Sequence, residues 1–363
     1  MDLSNLAVAA DVLIRDDQRH EKAGAVAYDD LDEIIRWLVY AEQFDRALTE
    51  ANRAAIFAKV DALCDDVRRS RSEAMRPLHA SLYHLYVSEF AVPWESARIH
   101  SRHPMLVAQR CRLERAWLER ETRLHGAVLE ALPSSVEEFP DWGAALVSSH
   151  ASNVTHPLFP FLRDEATIEQ LREFHFQETP LDIFFSDILC RMMPGVYGAL
   201  RVELVSNFWD EVGRGTEAVA HRALRLKLMR FFDISPRAHL DEVRRYVWEE
   251  LALANTYFDT TMDRGRLVQA VGAMLATEMA VPGRIECQLE GCRRVGIPDD
   301  VLRYLEEHVT LDVTHAAGWM KHVVAPLLRE HPNLMPDLAM GMLRRLSAAE
   351  AVCERMLVHL GLY

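Results

Sequence analysis

The stretch that decides the fold runs from residue 298 to residue 325 and reads PDDVLRYLEEHVTLDVTHAAGWMKHVVA. Pro298 followed by Asp299 and Asp300 is typical of a helix start, because the proline ring suits the first turn and acidic side chains suit the positive end of a helix. The residues that follow are mostly helix formers as far as Gly318. The sequence therefore predicts one long helix here.

Three polar residues of this helix share one face. His308, Asp312 and His315 stand at i, i+4 and i+7, which fall on one stripe at 3.6 residues per turn. Apolar residues lie on or beside that stripe and predict that it faces inward: Leu305, Leu311 and Trp319. Two imidazoles and a carboxylate are costly to bury unless something binds them, and their donor atoms suit iron, manganese or zinc. The alternative interpretation is an ordinary helix with two hydrogen-bonded histidines and an exposed aspartate.

Composition limits the remaining choices. The 363 residues carry a formal net charge of −14, which argues against nucleic acid or an anionic membrane as the main partner. Apolar residues recur at helical spacing nearly throughout, no apolar run is long enough to span a bilayer, and the first twenty residues lack the features of a secretory signal. The six scattered cysteines are expected to be reduced thiols, so the sequence predicts an all-α, cytoplasmic protein.

The chain is expected to have two parts. Residues 1–150 contain four amphipathic segments with no pattern of metal ligands, and we interpret them as an N-terminal helical region for packing or dimerisation, which makes a homodimer the expected assembly. The loop-like stretch SSHASNVTHPLFPFLRDEA at 148–166 marks the boundary. Residues 151–363 are predicted to form the second, metal-binding domain.

A second group of donors lies between residues 196 and 232. One helix should end near Glu211, because Gly213 and Gly215 break it, and Thr216 is placed to cap the next helix, which carries His221. Such a break lets Glu211 and His221 approach one point. The alternative is a surface Asp-Glu pair and a histidine that is satisfied elsewhere.

Glu278 is the other telling residue. The segment from Leu267 to Met279 is apolar nearly all round, which predicts a buried helix, and Glu278 is its acid. Buried glutamates are rare unless they are paired or bound to a metal. Several helices that direct Glu and His side chains inward are a known route to a carboxylate-bridged di-iron centre.

An earlier helical segment, residues 166–193, places His175, Glu178 and Asp182 on one face. Pro180 interrupts the register just after Glu178 and predicts a kink beside this carboxylate.

Taken in order, E211-x9-H221, E278 and H308-x3-D312-x2-H315 resemble the haem-oxygenase-like diiron oxidases and oxygenases, a family of iron-containing redox enzymes, over roughly residues 155–330. The resemblance implies a haem-oxygenase-like helical bundle that binds two Fe(II) ions per chain, uses O₂ as co-substrate and holds no haem. Some members that oxidise nitrogen carry a further carboxylate, for which Glu178 is the candidate and Asp182 the substitute. The implied metal ligands are Glu178, Glu211, His221, Glu278, His308, Asp312 and His315.

The resemblance also implies an oxidase or monooxygenase of specialised biosynthesis that acts on a small amino-acid-like substrate, with an external electron donor as a further partner. The sequence leaves N-oxygenation and oxidation at carbon (desaturation, fragmentation or oxidative ring closure) both open. Helical phase alone offers four residues for the substrate pocket: His175, Asp182, Asn207 and Trp319. Arg201 and Arg284 are candidates for binding a substrate carboxylate. The competing hypothesis is a helical scaffold or binding protein with a structural or degenerate metal site, which metal content would distinguish.

Overall fold

The computed structural model describes residues 28–41, 44, 48–92 and 99–363, and within these the side chains of 310–314 are not described. The chain divides into two compact units that meet in sequence at Leu124 and His125. Every regular element in the described ranges is helical, which confirms the all-α prediction. None of the described helices is both long and apolar enough to cross a membrane.

The first unit is built from amphipathic helices, as the spacing of apolar residues predicts. Its elements are α1 (Leu31–Tyr40), α2 (Glu50–Arg68), α3 (Met75–Val87) and most of α4 (Pro104–Glu130). The Thr49 side chain caps α2 by accepting a hydrogen bond from the backbone N of Asn52 at 3.2 Å. Helix α3 is buried along its whole length and packs against α1. The sequence also predicts breaks at residues 21–27 and 92–93, and apart from Val92 these lie outside the described residues.

The second unit contains the remaining helices. In chain order these are α5 (Phe139–Ser149), α6 (Leu158–Asp164), α7 (Ile168–Asp182), α8 (Phe185–Met192), α9 (Gly198–Glu211), α10 (His221–Phe231), α11 (Ala238–Asp241), α12 (Trp248–Met262), α13 (Leu267–Arg294), α14 (Asp299–Gly318), α15 (Ala325–Glu330) and α16 (Met335–His359). The predicted helix start at Pro298 and end at Gly318 are confirmed by α14.

Helix α13 is the centre of this unit and packs against α6, α12, α14 and α16. All its residues from Gln269 to Glu278 are buried, as the apolar pattern predicts. Two glycines let α13 and α16 cross at close range. A Cβ on Gly272 would lie 2.0 Å from the carbonyl oxygen of Leu338, and one on Gly341 would lie 1.9 Å from that of Gln269. Neither position can therefore hold a side chain without moving the backbone.

The connection between α9 and α10 differs in part from its prediction. Helix α9 ends at Glu211 as expected, and Gly213 and Gly215 adopt positive φ values of 64° and 83°. Thr216, however, makes no side-chain cap, and only a single 3₁₀ turn follows it. The chain folds back so that Gly213 lies against the backbone of Ala220, which is extended, and α10 therefore begins only at His221.

Two further irregularities lie beside the predicted ligands. Helix α7 continues through Pro180 and ends two residues later at Asp182. After α14, residues Trp319–Val324 form a wide π-helical turn before α15 begins. Such turns are rare in proteins and often accompany functional sites.

Candidate metal centre

Glu211, His221 and His308 converge on one point, with one ligand atom from each lying within 4.8 Å of the others. Nδ1 of His221 lies 2.9 Å from Oε1 of Glu211, and the two imidazole rings are 4.5 Å apart between centroids. Glu211 and His221 are buried. One carboxylate and two imidazoles at this spacing form a donor set that suits a divalent first-row metal.

The proton on His308 is fixed by its own helix. Nδ1 of His308 lies 2.8 Å from the carbonyl oxygen of Tyr304, one turn earlier in α14. A carbonyl oxygen can only accept, so Nδ1 carries the proton and Nε2 keeps its lone pair for a ligand. The ring is therefore held in the tautomer that a metal-binding histidine needs.

His315 lies between two carboxylates. Its Nε2 is 3.1 Å from Oδ2 of Asp210, and its Nδ1 is 3.6 Å from Oε2 of Glu278. Asp210 also accepts a hydrogen bond from Nε of Arg214 at 2.8 Å, which orients the carboxylate. An imidazole held through one nitrogen by a carboxylate offers the other nitrogen to a metal, and that nitrogen faces Glu278.

Glu211 and Glu278 are in different electrostatic environments. Burial alone would raise the pKa of Glu211, but its hydrogen bond with His221 and the positive potential of His221, His308 and His315 outweigh this and lower it. Burial raises the pKa of Glu278, and its interaction with His315 offsets this only in part. The protein thus compensates the negative charge of buried Glu278 only in part, whereas it compensates that of Glu211 more fully.

Glu178 is held at the side of the cavity by two partners. Nε2 of Gln288 donates to its Oε1 at 3.1 Å, and Nδ1 of His175 lies 3.3 Å from its Oε2. Burial lowers the pKa of His175, so this ring is neutral near pH 7. Its other nitrogen lies 3.5 Å from the thiol of Cys292. His175 therefore positions Glu178 from the side away from the cavity.

Asp182 is occupied by a buried cation. Nε of Arg225, whose side chain is fully buried, lies 3.1 Å from Oδ2 of Asp182. The guanidinium also lies over the ring of Tyr304, 5.5 Å from its centroid. Burial raises the pKa of Asp182 to about 7 against the opposing effect of Arg225, with Glu178 adding to the rise. Asp182 is therefore part of an internal ion pair.

Most of the candidate ligands border one cavity. Its lining includes Glu178, Asp182, Glu211, Glu278, His308 and His315, together with Asn207 and Tyr304. Apolar side chains cover much of the remaining wall: Leu158, Phe159, Phe174, Leu181, Phe185, Leu189, Leu253, Val281, Ile285 and Val352.

The four residues predicted for the pocket separate into two pairs. Asp182 and Asn207 line the cavity. His175 and Trp319 are fully buried and are not among its lining residues. The Trp319 indole instead donates to Oδ1 of Asn207 at 3.0 Å and so orients that amide. The side chain of Asp312 lies outside the described residues, so its place among the ligands stays a prediction.

Several polar residues near the centre were not predicted from the sequence. Asp210 stands next to Glu211 in a pair that the sequence allows to be a surface feature, and Tyr304 stands one turn before His308 on the same stripe. Glu250 and Arg345 also line the cavity. Of the two arginines considered, Arg284 lines it, whereas Arg201 donates to the carbonyl oxygen of Val196 at 3.1 Å and is not among the lining residues.

Comparison with known proteins supports the resemblance. Residues 172–350, from within α7 to within α16, match the family described as iron-containing redox enzyme. The match covers just under half of the chain and agrees with the resemblance of its ligand spacing. The matched segment includes all seven predicted metal ligands.

Among solved structures, a CADD-like protein of unknown function from Nostoc punctiforme is similar to this chain. The match has a TM-score of 0.49 and 16% sequence identity, and it covers 62% of this chain and 97% of the other. No curated protein has a significant match to the chain.

Proposed function

We propose that this protein is a non-haem diiron oxidoreductase that uses O₂ to oxidise a small amino-acid-like substrate in specialised metabolism. The observation that carries the proposal is the convergence of Glu211, His221 and His308 at one point, beside a cavity that Glu211, His308, Glu278 and His315 line. The match of residues 172–350 to the iron-containing redox enzymes supports it.

The donor set suits two irons better than one. Glu211, His221 and His308 would hold the first ion, and Glu278 and His315, with Asp312 as the proposed further ligand, would hold the second. Carboxylates and imidazoles suit ferrous iron. Cys353 is the one cysteine among the described residues that line the cavity, and its thiol accepts a hydrogen bond from Arg284. The partly compensated acid at Glu278 and the fixed tautomer of His308 are the features that a resident cation would explain.

Once bound, the two ions would supply O₂ activation, and the residues of this chain would orient the metal ligands and limit the access of water to the site. Asp210 and the carbonyl oxygen of Tyr304 hold the two imidazoles of α14. The apolar wall limits water around the reacting atoms, which strengthens the electrostatic interactions of the carboxylates. Glu178 is proposed as an additional carboxylate that Gln288 and His175 hold at the side of the cavity.

The reaction is proposed as N-oxygenation, or as oxidation at carbon by desaturation, fragmentation or ring closure, with an external electron donor as partner. The presence of Glu178 favours N-oxygenation, because the resemblance associates a further carboxylate with members that oxidise nitrogen. The homodimer proposed from the N-terminal helices is independent of the chemistry.

The test is to load the protein with Fe(II) under argon and mix it with O₂ in a stopped-flow spectrophotometer. The parent should consume O₂ and show an oxygen-dependent absorption transient, and His308→Ala should show neither, because the first ion loses a nitrogen donor. Arg293→Ala, on the exposed end of α13, serves as the control and should behave like the parent. A parent that binds iron but does not react with O₂ would contradict the proposal and favour a scaffold with a structural metal.

A further inference from the structure

One region of the cavity wall plays no part in holding metal. It is formed by Glu250 and Tyr257 of α12, Arg284 of α13, and Arg345 and Cys353 of α16. Arg345 is only 3% exposed, and its Nη1 has no hydrogen-bond partner among the described residues. A buried guanidinium N–H without an acceptor is costly, so a cavity-lining arginine in this state is suited to an acceptor that arrives with a ligand.

The protein holds this guanidinium by a chain of hydrogen bonds. Nε of Arg345 donates to the Tyr257 hydroxyl at 3.2 Å. The Thr277 hydroxyl donates to the carbonyl oxygen of Ala273 at 2.7 Å. The 2.5 Å bond between Tyr257 and Thr277 must therefore be donated by Tyr257. The hydroxyl protons of Tyr257 and Thr277 are therefore both donated within this series of hydrogen bonds. The guanidinium of Arg345 is held at Nε, while its Nη1 has no acceptor among the described residues.

Arg284 adds a second cation to the same wall. Its Nη2 lies 3.3 Å from the thiol of Cys353, and its guanidinium lies over the ring of Phe159, 4.8 Å from the centroid. A thiol and an aromatic face are weak partners that leave most of the charge uncompensated. Arg284 and Arg345 line the same cavity, and burial lowers the pKa of Arg345 while the charge of Arg284 adds to the lowering. Two neighbouring cations of this kind favour an anion between them.

Glu250 supplies a buried carboxyl group beside these cations. It is 3% exposed and lines the cavity, and no described residue forms a hydrogen bond or ion pair with its carboxyl group. Burial raises the pKa of Glu250 well above its usual range, Glu178 and Asp182 add to the rise, and Arg284 opposes it, so a cation brought by a ligand would favour the carboxylate form. The wall therefore offers donors for an anion and an acceptor for a cation within one small region.

We propose that this wall binds the head group of an α-amino acid, with the substrate carboxylate on Arg345 and Arg284 and the substrate ammonium on Glu250. The inference rests on the proposed function, whose substrate class it deepens. Holding the head group on α12, α13 and α16 leaves the rest of the substrate to extend along the apolar wall, which Leu253, Val281 and Ile285 form on the same elements. The group to be oxidised would then belong to the substrate side chain.

The test measures binding without catalysis. The full chain, metal-free, is titrated with each of the twenty proteinogenic L-amino acids and, in parallel, with the carboxamide of each, and the affinity is obtained from calorimetry and from the shift in melting temperature. At least one amino acid should bind, and its carboxamide should bind about 10–100-fold more weakly, because the amide forms no charge-assisted bonds with the arginines. If no amino acid binds, or if the carboxamides bind as well as the acids, the proposal is wrong.

Variants assign the contacts. Arg345→Met should weaken the best amino acid by about 10–100-fold and leave the carboxamide unchanged, while Arg345→Lys should restore part of the affinity. Glu250→Gln should weaken the amino acid but not its deaminated analogue. Arg344→Met is the matched control, since Arg344 is also buried but pairs with Asp259 at 2.8 Å and is not among the lining residues. It should lower the melting temperature without changing the affinity.

An affinity that Arg345→Met leaves unchanged would overturn the proposal even if the parent binds amino acids. Fe(II) uptake, measured separately under argon, distinguishes this result from failure of the metal centre. Arg345→Met should take up as much Fe(II) as the parent. If it loses iron as well, Arg345 supports the metal centre and the head-group assignment is wrong.

Discussion

Oδ2 of Asp210 lies 3.1 Å from Nε2 of His315, which joins the last turn of α9 to the end of α14. The next residue, Glu211, lies 2.9 Å from the imidazole of His221. Two consecutive acids thus serve two different histidines. Glu211 is a candidate ligand, and Asp210 orients an imidazole whose other nitrogen faces Glu278.

Asp210→Asn should weaken Fe(II) binding at one of two positions by about 10–100-fold, because partners that orient a metal-binding histidine typically contribute this much. Anaerobic Fe(II) titration measures it. Asp241→Asn changes an exposed acid that pairs with Arg237 and is the control for the loss of one charge. Equal titrations of Asp210→Asn and the parent would mean that Asp210 does not act on the metal centre.

Glu278→Gln should separate stability from metal binding. Because burial raises the pKa of Glu278, the folded metal-free protein holds this proton at pH values where the unfolded chain has lost it. Its contribution to stability is therefore present at low pH and is lost as pH rises through the folded pKa. The amide should be at least as stable as the parent near pH 7 when metal-free, yet bind Fe(II) more weakly. A metal-free variant that melts well below the parent would indicate a structural role for Glu278 instead.

Asp182 should make the metal-free protein less stable as pH rises from about 4 to about 7. Its ordinary pKa is 3.8 and its folded value about 7, so the folded state retains a proton that the unfolded state releases over this range. The loss should be of order 2–4 kcal/mol, and Asp182→Asn should remove it. Urea unfolding at a series of pH values measures the effect, and an Asn variant whose stability keeps the same slope with pH would contradict the assignment.

Gly341→Ala should destabilise the crossing of α13 and α16 by about 1–3 kcal/mol or more, because its Cβ would meet the Gln269 carbonyl oxygen at 1.9 Å. Gly126→Ala is the matched control. It lies within α4, where an added Cβ meets no atom within 4 Å, so the change should stabilise the helix by up to about 1 kcal/mol. Chemical denaturation compares the two, and similar effects of both changes would mean that the crossing is not held by glycine.

Periodicity predicts much of this fold because burial has a local signature. The inward stripe of α14, the apolar α13 with Glu278, and the end of α9 at Glu211 can all be predicted from spacing. Phase does not say which neighbour a buried side chain meets. His175 and Trp319 are buried as expected, yet His175 contacts Glu178 and Trp319 contacts Asn207 from the side away from the cavity.

The pairing of Asp210 with His315 and the arginine wall at Arg345 depend on how helices far apart in sequence pack together. The close crossing at Gly272 and Gly341 helps to set that packing, and no pattern along α9, α12 or α16 alone encodes it. The prediction that Thr216 caps the next helix was wrong for a related reason. The chain folds back onto Gly213, and this contact decides where α10 begins.

The most direct test of two irons is an anaerobic titration with Fe(II), followed by separation of free metal and a count of iron per chain. The parent should bind about two ions, and His308→Ala and His315→Ala should each retain about one, because each removes a nitrogen donor from a different ion. Arg293→Ala should bind as the parent does. A parent that binds fewer than two ions at saturation, or histidine variants that still bind two tightly, would contradict the diiron centre.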